Sequence, residues 1–381
     1  MRRPLAVGLL VLALPGGAHA ATLTLRAEPA VARYGQTVAF AGQLAPAQPN
    51  VPVGLYVHTG SAWQLVTSGA TQADGTYRLP AVARSPGRFY AVAQLDAVTQ
   101  VSSGEALLAM RPELQARIAG RRRVGERLVL TGRLLPATAG RLSIRLAGKE
   151  LRLRTDAAGR FRRLLPPLLP GRVRWSVAVA PTQGYEAARV SRALAVRGVG
   201  LGIGSRGPAV RALEARLGEL RHALRGINGV YGHDTYEAVL AFQKVHGMAR
   251  TGRVGSAVWS KLRRASVPRA FVPRGDHVEV SKTKQVMYEV RRGKVVRIVH
   301  VSTGATGNTP VGSWRVYRLG PGGSLSHMYY SLYFLRGFAI HGYHSVPSYP
   351  ASHGCVRTPL WFAPGFYARW GRIGTRVIVL P

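Results

Sequence analysis

Hydrophobic and polar positions repeat with one period in the first half of the chain and with another in the middle. Over residues 21–110 and again over 111–197, apolar and polar residues alternate in short runs broken by Gly, Pro and Asp-Gly. Val38, Phe40 and Gly42, like Leu128, Leu130 and Gly132, recur every second residue, as a half-buried strand requires. Short strands at this spacing predict small β-sandwiches of immunoglobulin-like type. After a glycine-rich junction, Gly198 to Gly207, the period becomes helical. Val210, Leu213, Leu217 and Leu220 fall on one stripe, and Asp234 with Glu237 has the spacing of a capping box before Val239, Leu240 and Phe242. Val258 and Leu262 share a face of a third short helix, with Trp259 beside it.

The two alternating stretches read as copies of one unit. Arg33-Tyr34-Gly35 through Gly42 aligns with Arg123-Val124-Gly125 through Gly132, and Pro46 then answers Pro136. Asp74-Gly75-Thr76-Tyr77-Arg78 answers Ala158-Gly159-Arg160-Phe161-Arg162, and Pro86-Gly87-Arg88 answers Pro170-Gly171-Arg172. No catalytic set converges in either copy, so they read as spacers or binding modules.

Residues 266–275, with Pro268 and Pro273, read as a semi-stiff linker. From Asp276 to the end of the chain strands return. Val278 and Val280 with Gln285 to Glu289 suggest a hairpin, Val295 to Val301 a further strand, and Val377 to Leu380 a closing one. Ser302-Thr303-Gly304 and Thr309-Pro310-Val311-Gly312 are turn signals, and the apolar run Ser331 to Ile340 delivers His341. Thr358-Pro359 looks like an N-cap and first helical residue, predicting a helix through Trp361 to Trp370 that starts three residues after Cys355. The whole is a mainly β multidomain chain with a three-helix module in its middle.

Composition changes this picture in two ways. Residues 1–20 carry Arg2 and Arg3, an apolar run from Leu5 to Leu14, and Ala18-His19-Ala20, the form of an export signal. The run is short for a stop-transfer span, which needs about 20 apolar residues; an uncleaved N-terminal anchor is the alternative. The net charge is +37, and all but six of the 53 basic residues are arginine. In a cytosolic protein that balance would suggest nucleic acid. For an exported chain with scattered arginines it suggests attraction to anionic cell-envelope polymers, no nucleic-acid partner, and a place in the cell wall, the periplasm or the outer face of the cytoplasmic membrane. An arginine-rich coding bias would give the same numbers.

Cys355 is the only cysteine, so it forms no intramolecular disulfide. It lies in Ser352-His353-Gly354-Cys355-Val356-Arg357, downstream of Ile340-His341-Gly342. A thiol attacks as the thiolate and needs a base or a positive field. His341 and His353 are candidate bases, Gly342 and Gly354 allow close backbone approach for an oxyanion, and Arg357 supplies a cation. His341, His344, His353 and Cys355 could instead supply zinc ligands, although their spacing matches no standard zinc motif; the preferred reading holds no metal and no cofactor.

Two family resemblances sharpen these readings. Gly207, Val210, Leu213, Leu217, Gly229, Tyr231, Gly232, Thr235, Phe242, Gln243, Gly247, Gly252, Trp259 and Leu262 lie in a pattern that resembles a peptidoglycan-binding module, placed at 198–265. His341-Gly342 followed by Ser-His-Gly-Cys-x-Arg, with Ser302-Thr303-Gly304 and Thr309-Pro310-x-Gly312 upstream, resembles the YkuD catalytic domain of L,D-transpeptidases, placed at 276–381. This resemblance implies that Cys355 attacks the amide before D-alanine in a tetrapeptide stem of peptidoglycan. His341 would act as base, and the backbone at His353, Gly354 and Cys355 would form the oxyanion hole. Ser352, Arg357, Tyr329 and Tyr330 would serve substrate, and an acceptor amine would resolve the thioester into a 3–3 crosslink. Family members are typically acylated by carbapenems. An L,D-carboxypeptidase, with water as acceptor, and a non-catalytic peptidoglycan-binding envelope protein are the alternatives. Tyr343 and Thr358-Pro359-Leu360-Trp361 depart from common residues of the family, which puts substrate preference in question.

Overall fold

The computed structural model describes residues 20–137, 140–321 and 327–381; the expected export signal lies almost wholly outside the described residues. The chain forms two compact units. One runs up to Arg117 and includes Thr131–Arg162 and Ser176–Ser191; the other comprises Ile118–Leu130, Arg163–Trp175 and Arg192–Pro381.

In the first unit, Thr37–Ala45 pairs with Thr22–Leu23, Arg26–Glu28 and Thr76–Val82 to make one sheet of a β-sandwich. The facing sheet is built from Pro52–His58, Trp63–Ala70, Gly87–Gln94 and Ala106–Arg111, with two short edge segments. Val38, Phe40, Leu44, Val53, Leu55, Phe89 and Leu108 fill the space between them, and the rings of Phe40 and Phe89 meet at 4.4 Å. The second repeat again forms two sheets, of three and four strands, and its residues are shared between the two units.

Equivalent glycines explain why the repeats share a sequence pattern. A Cβ on Gly42 would collide with the Thr24 carbonyl and the Tyr77 hydroxyl, which donates to that same carbonyl. A Cβ on Gly132 would collide with the Gln115 carbonyl and the Phe161 ring. An aromatic ring thus crosses a strand at the same point in both copies. Gly75 and Gly159, at φ +76° and +72°, each turn beneath a carbonyl of the strand that the next strand pairs with, that of Leu44 or Leu134.

In the second unit, α1 (Pro208–Glu219), α2 (His233–Val245) and α3 (Ser256–Arg264) enclose Val210, Leu213, Leu217, Val239, Phe242, Trp259 and Leu262. The helical stripe read from the sequence is therefore the core stripe. The capping box is not formed. The N-cap of α2 is Gly232, Asp234 accepts the Arg225 N–H, and Glu237 turns instead to the Trp361 indole N–H.

The C-terminal part holds two sheets. Strands β1 (His277–Ser281), β2 (Val286–Arg291), β3 (Lys294–His300), β4 (Gly312–Arg315) and β9 (Arg376–Leu380) lie in the order β3-β2-β1-β9-β4. Strands β5 (Arg318–Gly320), β6 (Tyr329–Leu335), β7 (Phe338–Tyr343) and β8 (Val356–Pro359) form the second sheet in sequence order. The expected hairpin is β1–β2, but the run from Ser331 to Ile340 splits into two strands at Arg336-Gly337. Helix α4 (Ala363–Trp370) closes the core with Phe362, Phe366 and Trp370. Glu289 pins it, accepting from Arg369 at 2.6 and 3.0 Å and from the Trp370 indole at 2.9 Å.

The helix expected from Thr358 starts later, at Ala363. Thr358 and Pro359 finish β8, paired in parallel with Gly342 and Tyr343, and the Thr358 hydroxyl donates to the His341 carbonyl. Pro359 lacks an N–H, which an edge strand tolerates as readily as a helix start does. The helix N-terminus consequently lies eight residues beyond Cys355 in sequence rather than three.

Gly42→Ala is expected to destabilise the first sandwich by about 1–3 kcal/mol, the usual cost of overpacking. The calorimetric transition of the full chain reads this, and Gly104→Ala, where a Cβ meets nothing within 4 Å, should leave it unmoved.

Candidate active site

Two neighbouring strands carry the candidate residues. β7 and β8 run parallel, with Ile340 opposite Val356, His341 opposite Arg357 and Gly342 opposite Thr358. Opposed residues of a sheet share a face, and residues two apart on one strand share it too. His341, Arg357 and the position just before β8, Cys355, therefore belong to one face. Ile340 and Val356 point the other way, into the core.

The loop that presents Cys355 is fixed almost entirely by backbone and hydroxyl bonds. Ser352 is 3% exposed; its hydroxyl donates to the Cys355 carbonyl at 2.6 Å and accepts the Gly354 N–H at 3.0 Å. Thr309 donates to the Gly354 carbonyl at 2.7 Å and accepts the Gly304 N–H at 2.9 Å. Asn308 donates to the His353 carbonyl at 2.8 Å. The Thr303 carbonyl accepts from Ala351 and Ser352, and Ser302 and Arg357 exchange two backbone bonds. Gly354 sits at φ +129°, with the Phe338 ring where a Cβ would be, so only glycine fits.

His341 is 4% exposed, and its Nδ1 lies 2.9 Å from the Gly342 carbonyl. A carbonyl can only accept, so Nδ1 carries the proton and Nε2 keeps its lone pair. Burial chiefly, with the nearby Arg357 charge, holds this imidazole below its ordinary 6.5, against the raising effect of the Gly342 bond. It is therefore neutral at neutral pH. The Cys355 thiol donates to the Gly337 carbonyl at 3.7 Å. Burial pushes its pKa up; the Ala339 N–H and Arg357 pull the other way. The two groups rest as thiol and imidazole rather than as an ion pair.

The remaining candidates separate. Arg357 lies over the Tyr343 ring at 4.1 Å, and that ring meets His341 edge-on at 5.9 Å. Tyr329 pairs with Gly342 across β6–β7 and sends its hydroxyl to within 3.4 Å of His344 Nε2. Tyr330, at φ +55°, turns to Tyr367 of α4 instead. His353 is exposed, and Gly342 packs so closely on Ala363 that a Cβ would lie 2.6 Å from it. Among the described residues, no group of three or more His, Cys, Asp or Glu side chains is spaced to hold a metal ion. The sequence reading missed Asn308 and the structural use of Thr309, although Thr309 opens a turn segment it singled out and Asn308 directly precedes it.

The helical module carries a separate cleft of about 650 Å³, walled by Leu201, Ile203, Tyr236 and the Thr251 to Gly255 turn. No helix among the described residues is long and apolar enough to cross a membrane.

Thr309→Val should leave the Gly304 N–H without its acceptor and cost about 1–3 kcal/mol, the price of an unsatisfied buried group. Thr309→Ser should recover most of that loss. Denaturant unfolding of the full-length variants measures both.

Residues 275–379 match the YkuD family, the L,D-transpeptidase catalytic domain, and residues 206–262 match the putative peptidoglycan binding domain family. Among curated proteins, none is found to match this chain. Of solved structures, the L,D-transpeptidase (residues 123–326) from Xylanimonas cellulosilytica DSM 15894 is 37% identical over 47% of this chain and 96% of its own, at a TM-score of 0.45. A fused Zn-dependent amidase/peptidase/peptidoglycan-binding domain-containing protein from Clostridium acetobutylicum ATCC 824 is 18% identical over 48% of this chain and 99% of its own, at a TM-score of 0.22. The chain thus carries an L,D-transpeptidase catalytic domain of the YkuD family at 275–379, preceded by a putative peptidoglycan binding domain at 206–262.

Proposed function

We propose that the protein is a cysteine-dependent L,D-transpeptidase that forms 3–3 crosslinks in peptidoglycan outside the cytoplasm. In this reading residues 21–110 and 111–197 are sandwich spacers, 198–265 a glycan-gripping module with its cleft beside Tyr236, and 276–381 the catalytic domain. The observation that carries it is the placement of Cys355 and His341 on one face of adjacent parallel strands, with His341 held in the tautomer that leaves Nε2 free.

His341 Nε2 takes the thiol proton as Sγ attacks the carbonyl of the amide before the terminal D-alanine. The tetrahedral oxyanion faces backbone N–H groups. Since the Gly354 N–H is already given to Ser352, those of His353 and Cys355 are the donors for it. Collapse breaks the C–N bond, and D-alanine leaves with the proton from His341. An amine of an acceptor stem then attacks the thioester, transferring its proton to His341 and restoring the thiol. Arg357, held over the Tyr343 ring, supplies a positive charge to the stem carboxylates. Ser352 serves by stiffening the loop, and Tyr329 lines the approach beside His344.

Incubated with a carbapenem, the full chain is expected to gain one adduct by intact mass, and Cys355→Ala none. His341→Ala should slow acylation by about 10²–10⁴-fold, the usual worth of a general base. Muropeptide analysis after incubation with tetrapeptide-bearing peptidoglycan should show 3–3 dimers; trimmed stems alone would identify a carboxypeptidase.

The pH profile follows from the neutral pair. A histidine held below its ordinary value stays a competent base as the medium turns mildly acidic. Acylation should therefore weaken only below pH 6.5, and His341→Gln should abolish that acid limb. A limb centred above 6.5 would rule out the neutral imidazole.

A further inference from the structure

Lys244 is a buried basic side chain that the proposed reaction does not use. It lies on α2, inside the stretch that matches the peptidoglycan-binding family, yet it is 3% exposed and every bond of its ammonium goes to the catalytic domain. Nζ donates to the Gln285 carbonyl at 3.0 Å and to the Val301 carbonyl at 3.1 Å, and lies 2.6 Å from His300 Nδ1. The other ring nitrogen of His300 is 2.7 Å from the Val346 carbonyl, so Nε2 carries the proton and Nδ1 must accept. All three neighbours of Nζ are then acceptors, and only an ammonium has three protons to give. Burial first, and the Arg250 charge second, push this lysine down to about 6. The three acceptors oppose that push, because each favours the charged form.

These contacts lead to the thiol. Gln285 exchanges two side-chain bonds with Thr303, at 2.6 and 2.8 Å, and the Thr303 carbonyl holds Ala351 and Ser352 just before the Cys355 turn. His300 holds Val346, Ser302 holds the Tyr349 carbonyl at 2.7 Å, and Arg250 reaches the Ser348 carbonyl at 2.9 Å and that of Thr283 at 3.0 Å. The segment between His341 and Ser352 is thus fastened at three carbonyls, two of them from the helical module directly or through one imidazole.

We propose that Lys244 and Arg250 are positioning residues for the thiol chemistry, so that the helical module is a working part of the active site as well as a wall anchor. This rests on the reading of Cys355 as the nucleophile. Without the ammonium, His300 and the Val301 carbonyl lose a partner, and the loop that aims Cys355 loses its footing. A small misplacement of a reacting group is enough to cost about 10²-fold.

The test is the acylation of the full chain by a carbapenem, with the rate constant at saturation and the final adduct fraction read separately by intact mass. If the wild type takes no adduct at Cys355, the transpeptidase reading fails first. Given a reactive wild type, Lys244→Met is expected to react at least 10-fold more slowly yet reach full occupancy. Leu213→Ala, which destabilises the same module from its core, should lower the melting temperature and leave the rate constant unchanged. A Lys244→Met rate within two-fold of wild type, or equal slowing by Leu213→Ala, overturns the proposal. Should Lys244→Met fail to fold, Arg250→Ala decides: slowing of three-fold or more at full occupancy supports it, and an unchanged rate overturns it.

Discussion

The parallel pairing of Phe338–Tyr343 with Val356–Pro359 is the constraint on which the rest of the site depends. Parallel strands need a crossover, and here the crossover is the segment from His344 to Cys355. Because side chains alternate across a strand, register decides which residues meet. A slip of one residue would send Cys355 into the core and bring Val356 to the imidazole. Ile340 and Val356 are fully buried on the opposite face, so hydrophobic burial fixes the register. The same packing that makes the domain stable sets Cys355 and His341 on one face.

Given that register, the crossover must be rigid without help from regular structure. It contains no helix, and its backbone groups are satisfied by Ser302, Thr303, Asn308, Thr309, Arg250 and His300. Three of these, Ser302, Asn308 and Thr309, act through short polar side chains, which reach a carbonyl at little cost in rotamer entropy. The cost appears elsewhere. Gly354 has a conformation open only to glycine, and a lysine side chain is held out of water.

Much of this was legible in the sequence, for reasons particular to each element. The helical stripe from Val210 to Leu220 is read correctly because one face of a small bundle has one way to be buried. The repeated glycines read correctly because Gly42 and Gly132 face the same obstacle, a ring crossing a strand. Thr358-Pro359 was misread because Thr-Pro suits a helix start and the end of an edge strand equally; only the partner strand, absent from local sequence, decides. The Asp234–Glu237 pair failed similarly, since Glu237 finds Trp361, a residue 124 positions away. Lys244 could not have been singled out, because nothing local distinguishes a buried lysine on a helix from a solvated one.

Helix α2 also shields one side of the catalytic sheet. Ala241 and Val245 lie on Val286, Tyr288, Val290, Val295 and Ile298, which form an apolar patch on β2 and β3. A recombinant fragment cut at the start of the enzymatic segment would turn this patch toward solvent and leave His300 facing an empty slot. Such a fragment would be prone to self-association, and a soluble piece of this polypeptide needs the cover that α2 supplies.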